Sequence, residues 1–147
     1  MKISLGADHK GYAYKEMVKA MLAHRGYFIN DHGAFSEEST DYPEYALRVG
    51  RDVVSEIADY GILICWTGNG MAIAANKIKG VRAALAFSGE MAELARSHND
   101  ANVLVLAAKY TPLESLGEIV DKFLSTPFDG GRHQRRLDII KKYEDEQ

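Results

Sequence analysis

The one cysteine of the chain, Cys65, ends an apolar run, Gly61-Ile62-Leu63-Ile64-Cys65, and is followed at once by Trp66-Thr67-Gly68-Asn69-Gly70. Set between a strand and a helix, a glycine-bearing loop of this kind turns backbone N–H groups inward and can cradle an anion. The same donors favour thiolate over thiol at Cys65, which suits a base or a nucleophile. The plainer alternatives are a tight turn that needs positive φ at glycine, and a cysteine that merely fills core space. The loop is not a phosphate-binding Walker sequence, because Lys77 lies too far on, and it lacks the third glycine of a dinucleotide fingerprint.

His98-Asn99-Asp100 follows a helical segment, and a histidine there can act as acid or base with its tautomer set by a polar neighbour, or simply complement the helix C-terminus. His9, after the first apolar run, offers the same choice, whereas His24 and His32 read as surface residues. No pair among the five histidines has the spacing and partners of a metal site, so no metal is expected. Arg132 and Arg136 are four apart and share a helical face, an arrangement suited to a phosphate dianion; a solvated basic patch is the alternative.

Positioning these groups requires a scaffold, and the hydrophobic pattern describes one. Ile3–Ala7 is a short strand, behind which Tyr14, Met17, Val18, Met21 and Leu22 recur at helical spacing. Gly26 ends that helix and Tyr27–Ile29 forms a second strand, closed by Asn30, Asp31 and Gly33. After a polar loop at Ser36–Asp41, Pro43 opens a helix whose buried face is Ala46, Val49, Gly50, Val53, Val54 and Ile57. Gly61–Cys65 is apolar without alternation, the pattern of a central strand covered on both faces. A helix from near Gly70, a strand at Val81–Phe87, a helix at Glu90–Ser97 and a strand at Val103–Ala107 come next. Pro112 opens a helix with Leu113, Leu116, Val120, Phe123 and Leu124 inward, and Gln134–Tyr143 forms the last.

This alternation predicts an α/β fold: one doubly wound, Rossmann-like domain over residues 1–147, with a five-stranded, mostly parallel sheet flanked by helices. Ligands in such sheets bind at the carboxyl ends of the strands, which singles out Asp8-His9, Asp31-His32, the Cys65–Gly70 loop and the segment after Phe87.

Composition narrows the possible partners. With 147 residues, 46% hydrophobic and 27% charged, the chain can bury a core without disulfides, and a single cysteine excludes an internal one. A net charge of −3 with mixed signs gives no field for nucleic acid or an anionic membrane. The apolar runs fall short of the ~18 residues of a membrane span, and no secretory leader is visible, so a cytoplasmic protein is expected.

The chain resembles the type B ribose-5-phosphate isomerases, a family that also includes galactose-6-phosphate isomerase subunits. The resemblance rests on Gly6-Ala7-Asp8-His9-Lys10-Gly11, Asp41-Tyr42-Pro43, Gly61–Cys65, Gly68-Asn69-Gly70-Met71, Ala74-Ala75-Asn76-Lys77, Arg82-Ala83-Ala84, Ser97–Leu104 and Phe128–His133. It implies aldose–ketose isomerisation through a cis-enediolate, with no metal and no organic cofactor. It further implies that Cys65 is the base, that amides of the Thr67–Met71 loop form an oxyanion hole, that Thr67 shuttles or holds a hydroxyl and that Asp8 orients the sugar. His98 resembles the acid that opens the furanose ring, with Asn99 beside it, and His9, Arg132 and Arg136 match phosphate-binding positions. The family's site forms between two subunits, so His98 and Asn99 are expected from a partner copy in a homodimer, with a tetramer as a further state.

Two residues depart from the family pattern. Trp66 replaces the usual glycine beside the presumed base, and Lys109, also placed in the substrate site, replaces an arginine. Interconversion of ribose 5-phosphate and ribulose 5-phosphate is the expected activity. Isomerisation of a tetrose or hexose phosphate, or sugar-phosphate binding without catalysis, is the alternative.

Overall fold

The computed structural model describes residues 1–147. Strands β1 (Lys2–Ala7), β2 (Phe28–Asp31), β3 (Tyr60–Cys65), β4 (Ala83–Leu85) and β5 (Val103–Ala107) form one sheet in the order β2-β1-β3-β5-β4. Every pairing is parallel, so the sheet is wholly rather than mostly parallel. Helices α1 (Tyr12–His24), α2 (Tyr42–Val54), α3 (Asn69–Ala75), α4 (Gly89–Asn99), α5 (Leu116–Ser125) and α6 (Arg132–Asp145) complete the fold. The chain leaves β1 toward β2 and then returns past β1 to β3, so the winding reverses between β1 and β3.

Alternation along the strands divides the core. Ile3, Leu5, Ile62, Ile64, Leu104 and Leu106 pack with residues of α1, α4 and α5 on one face. Leu63, Cys65, Val103 and Val105 pack with α2 and α3 on the other. β3 is the middle strand, and its residues Gly61 to Cys65 are all buried, as a run without polar alternation requires.

Several expectations are corrected. Ile57 and Val54 are exposed: α2 ends at Val54, and the chain turns away through Glu56 with φ of 59°. Met17 is likewise exposed rather than on the buried face of α1. The fourth strand covers only Ala83–Leu85, because the amides of Arg82 and Ala83 go to the side chains of Asn102 and Asn76 at 2.8 Å. Leu113 is exposed because Pro112 opens a 3-10 turn at Leu113–Ser115 before α5 begins.

Candidate active site

The reversal between β1 and β3 brings two loops together at their carboxyl ends. Asp8 closes β1, and its amide donates to the carbonyl of Ile64, the residue before Cys65, at 3.3 Å. Asp8 is buried, and its Oδ1 accepts the amides of Lys10 and Gly11 at 3.0 Å each, so one carboxylate oxygen is committed to the start of α1. The other oxygen makes no hydrogen bond to protein and can take a sugar hydroxyl. His9 Nδ1 accepts the amide of Thr40 at 3.2 Å, which places the proton of a neutral ring on Nε2 as a donor.

Cys65 is 4% exposed and faces α2 and α3, with Met71 fully buried beside it. Burial pushes its thiol up; the amides of Met71, Gly68 and Thr67 act in the opposite direction without cancelling it, and the Asp8 carboxylate adds to the rise. Burial therefore works against the thiolate that the loop donors favour. The helix behind the loop spans only seven residues, so its dipole adds little.

The loop itself depends on Gly68. Its φ is +80°, and a Cβ there would lie 2.3 Å from Leu85 Cδ1. Gly70 packs so closely under the Tyr42 ring that a Cβ would approach it to 2.6 Å. Tyr42 thus forms a wall of the loop; it belongs to the quoted Asp41-Tyr42-Pro43 motif but carries no chemical signal of its own. Thr67 is half-buried and Asn69 exposed. Lys109 approaches through its backbone, donating to the Trp66 carbonyl at 2.9 Å, while its side chain is exposed.

His98, Asn99, Arg132 and Arg136 form a second group elsewhere. α4 connects the carboxyl end of β4 to the amino end of β5, so its last turn, with His98 and Asn99, lies at the opposite end of the sheet from Cys65. The start of α6 joins it there: the Asp129 amide donates to the Ser97 carbonyl at 3.0 Å, and the rings of His98 and His133 stack at 4.3 Å. Within one chain the thiol and the arginine pair are not brought together. Burial, followed by the charges of His98, Arg132 and Arg136, holds His133 below the ordinary histidine value. The first turn of α6 carries no acid to balance the arginines, which leaves this helix start complementary to an anion.

The spacing of residues gave no hint that His98, Asp129 and His133 bring three metal-type donor atoms within 4.8 Å of one another. The two imidazole planes lie 13° apart, so their in-plane lone pairs run side by side instead of converging on one ion. The adjacent arginines further oppose a cation. Anion recognition fits this cluster better.

No helix is long and apolar enough to cross a membrane. The sequence profile described as Ribose/Galactose Isomerase matches residues 3–140. Ribose-5-phosphate isomerase B of Escherichia coli is 44% identical over 143 residues, covering 97% of this chain and 96% of that protein. Ribose-5-phosphate isomerase B of Clostridium thermocellum superposes with a TM-score of 0.97 at 44% identity, over 99% of both chains. The Mycoplasma genitalium enzyme, solved with bound ribulose-5-phosphate, gives 0.94 at 42% identity over 99% of this chain and 97% of that one.

Proposed function

This chain belongs to the ribose/galactose isomerase family, and from that premise we propose that it interconverts ribose 5-phosphate and ribulose 5-phosphate, with Cys65 moving the proton. It is an aldose–ketose sugar-phosphate isomerase. The observation that carries the residue assignment is the position of Cys65, buried at the carboxyl end of the central strand with the amides of Met71, Gly68 and Thr67 acting on its sulfur.

In the forward direction the ionised form of Cys65, its own proton released to solvent, takes the proton from C2 of the open-chain aldose. The C2–H electron pair becomes the C1–C2 double bond, and the carbonyl electrons move onto O1. Preorganised amides of the Thr67–Met71 loop stabilise that oxyanion, an interaction worth roughly 3–4 kcal/mol per donor. The O2 proton passes to O1, and the thiol returns its proton to C1 as the electron pair left on O2 forms the ketone carbonyl, which regenerates the thiolate. Thr67 holds a sugar hydroxyl, and the free oxygen of Asp8 orients another.

Because His98 and Asn99 lie at the far end of their own sheet, the complete site requires a second copy, and we read the protein as a homodimer. His98 of that copy protonates the ring oxygen to open the furanose, and Arg132 and Arg136, which share its end of the sheet, bring their charges to the phosphate with His9 Nε2. The exposed side chains of Asn69, Asn99 and Lys109 complete the polar rim. The lone unoxidised thiol suits the reducing cytoplasm. Incubation with ribose 5-phosphate in deuterium oxide, followed by proton NMR, tests the reaction. Ribulose 5-phosphate should appear with deuterium at C1 unless transfer is fully shielded; no ketose at all contradicts the proposal.

A further inference from the structure

Trp66 is the one large side chain set beside the presumed base and left 44% exposed, while Cys65 is buried. Cys65 points to the α2 and α3 face, and the next residue of an extended chain points the other way. The indole accordingly lies toward the β1–α1 loop, where Lys10 Nζ stands 5.4 Å from its ring centroid. The backbone under it is fixed. Ala108 donates to the Cys65 carbonyl and Lys109 to the Trp66 carbonyl, each at 2.9 Å, prolonging the pairing with β5 beyond the end of the strand. The backbone amide of Lys10 donates to Asp8 Oδ1 at 3.0 Å, and its exposed ammonium makes no ion pair with a carboxylate. The indole and the ammonium together bridge the two loops that carry Cys65 and Asp8-His9.

Resting on the isomerase reading above, we infer that Trp66, clamped by Lys10, sets the length of sugar the site accepts. With the reacting carbons at Cys65 and the phosphate at His9, the carbon chain runs along the gap that this bridge bounds. On this inference a sixth carbon has to displace the indole, and a five-carbon chain does not. A pocket of this kind discriminates one methylene-sized group by about 10–200-fold.

The test compares kcat/KM for ribose 5-phosphate with that for the aldohexose 6-phosphate of matching configuration at C2 to C4. Trp66→Ala should raise the hexose-to-pentose ratio at least about tenfold. Lys10→Met, which loosens the ring without touching the backbone, should move the ratio in the same direction by less. Trp66→Phe, a smaller change that keeps an aromatic ring, should give an intermediate shift and serves if the alanine variant does not fold. Emission from Trp66, the one tryptophan in the chain, should change on saturation with ribose 5-phosphate. If the variants isomerise ribose 5-phosphate with the ratio unchanged, Trp66 does not gauge length and the isomerase reading stands. If wild-type protein isomerises neither sugar, the isomerase reading itself fails and takes this inference with it.

Discussion

Cys65 and His98 stand at opposite ends of the sheet: Cys65 closes β3 at its carboxyl end, whereas His98 occupies the last turn of α4, which returns the chain to the amino end of β5. In the homodimer proposed above, a site that uses both draws them from two copies related by a two-fold axis.

Mixing two inactive variants tests this directly. Cys65→Ala and His98→Ala homodimers should each be severely impaired, and subunit exchange between them should restore one intact site in each mixed dimer. At random exchange that amounts to about a quarter of wild-type activity. Activity that stays at the sum of the two parents would mean that each site is built within one chain.

The pH profile follows from the buried thiol. Burial, the largest influence, raises the Cys65 pKa, and the base is active only as thiolate, so kcat/KM should climb with pH by about tenfold per unit until the raised value is passed. The same limb should govern the rate of alkylation of Cys65. A plateau through neutral pH would show a thiolate already formed.

Gly68→Ala should lower kcat by about 10²–10³-fold with little change in KM, because a side chain at φ of +80° turns the loop amides away from the developing oxyanion. The readout is steady-state kinetics alongside the melting temperature. A pure loss of stability with normal kcat would remove the loop from catalysis.

Away from the site, one oxygen of the Asp52 carboxylate accepts from Ser4, Asn30 and His32, each at 2.7 Å. Burial opposes ionisation, but the hydrogen bonds from His32, Ser4 and Asn30 and the charge of His32 outweigh it and hold the carboxyl below its ordinary value. With the folded value depressed, this stabilisation is complete above the unfolded value of about 3.9 and is lost as pH falls through the folded one. Asp52→Ala, which leaves three donors unpaired, should cost on the order of 3 kcal/mol at neutral pH and flatten the acid limb of the stability profile. Denaturant unfolding between pH 3 and pH 7 is the check, and equal losses at both ends would contradict it.

The alternation of strands and helices was legible chiefly because the inner strands β3 and β5 are buried on both faces and read as unbroken apolar runs, Gly61–Cys65 above all. Boundaries were legible only where local chemistry marks them. Nothing in Ile57 or Leu113 shows that the chain has already turned, and the short β4 reflects side chains of Asn76 and Asn102 that pair with it from elsewhere in the chain. Lys15 is fully buried against Asp31, although its place in the helical pattern gives no sign of burial. Asp8, His9, Cys65 and the Thr67–Met71 loop could be grouped from the sequence because strand position puts them at the carboxyl ends of β1 and β3, which the sheet makes neighbours. The stacking of His133 on His98 depends on how α6 meets α4, a relationship that no local spacing encodes.

Whether the sulfur of Cys65 moves the proton is measured most directly by kcat for ribose 5-phosphate isomerisation by Cys65→Ala, with melting temperature and ribose 5-phosphate binding recorded on the same protein. A loss of about 10³-fold or more in kcat is expected, with the protein still folded and still binding the sugar phosphate. Turnover within about tenfold of wild type would show that another group carries the proton.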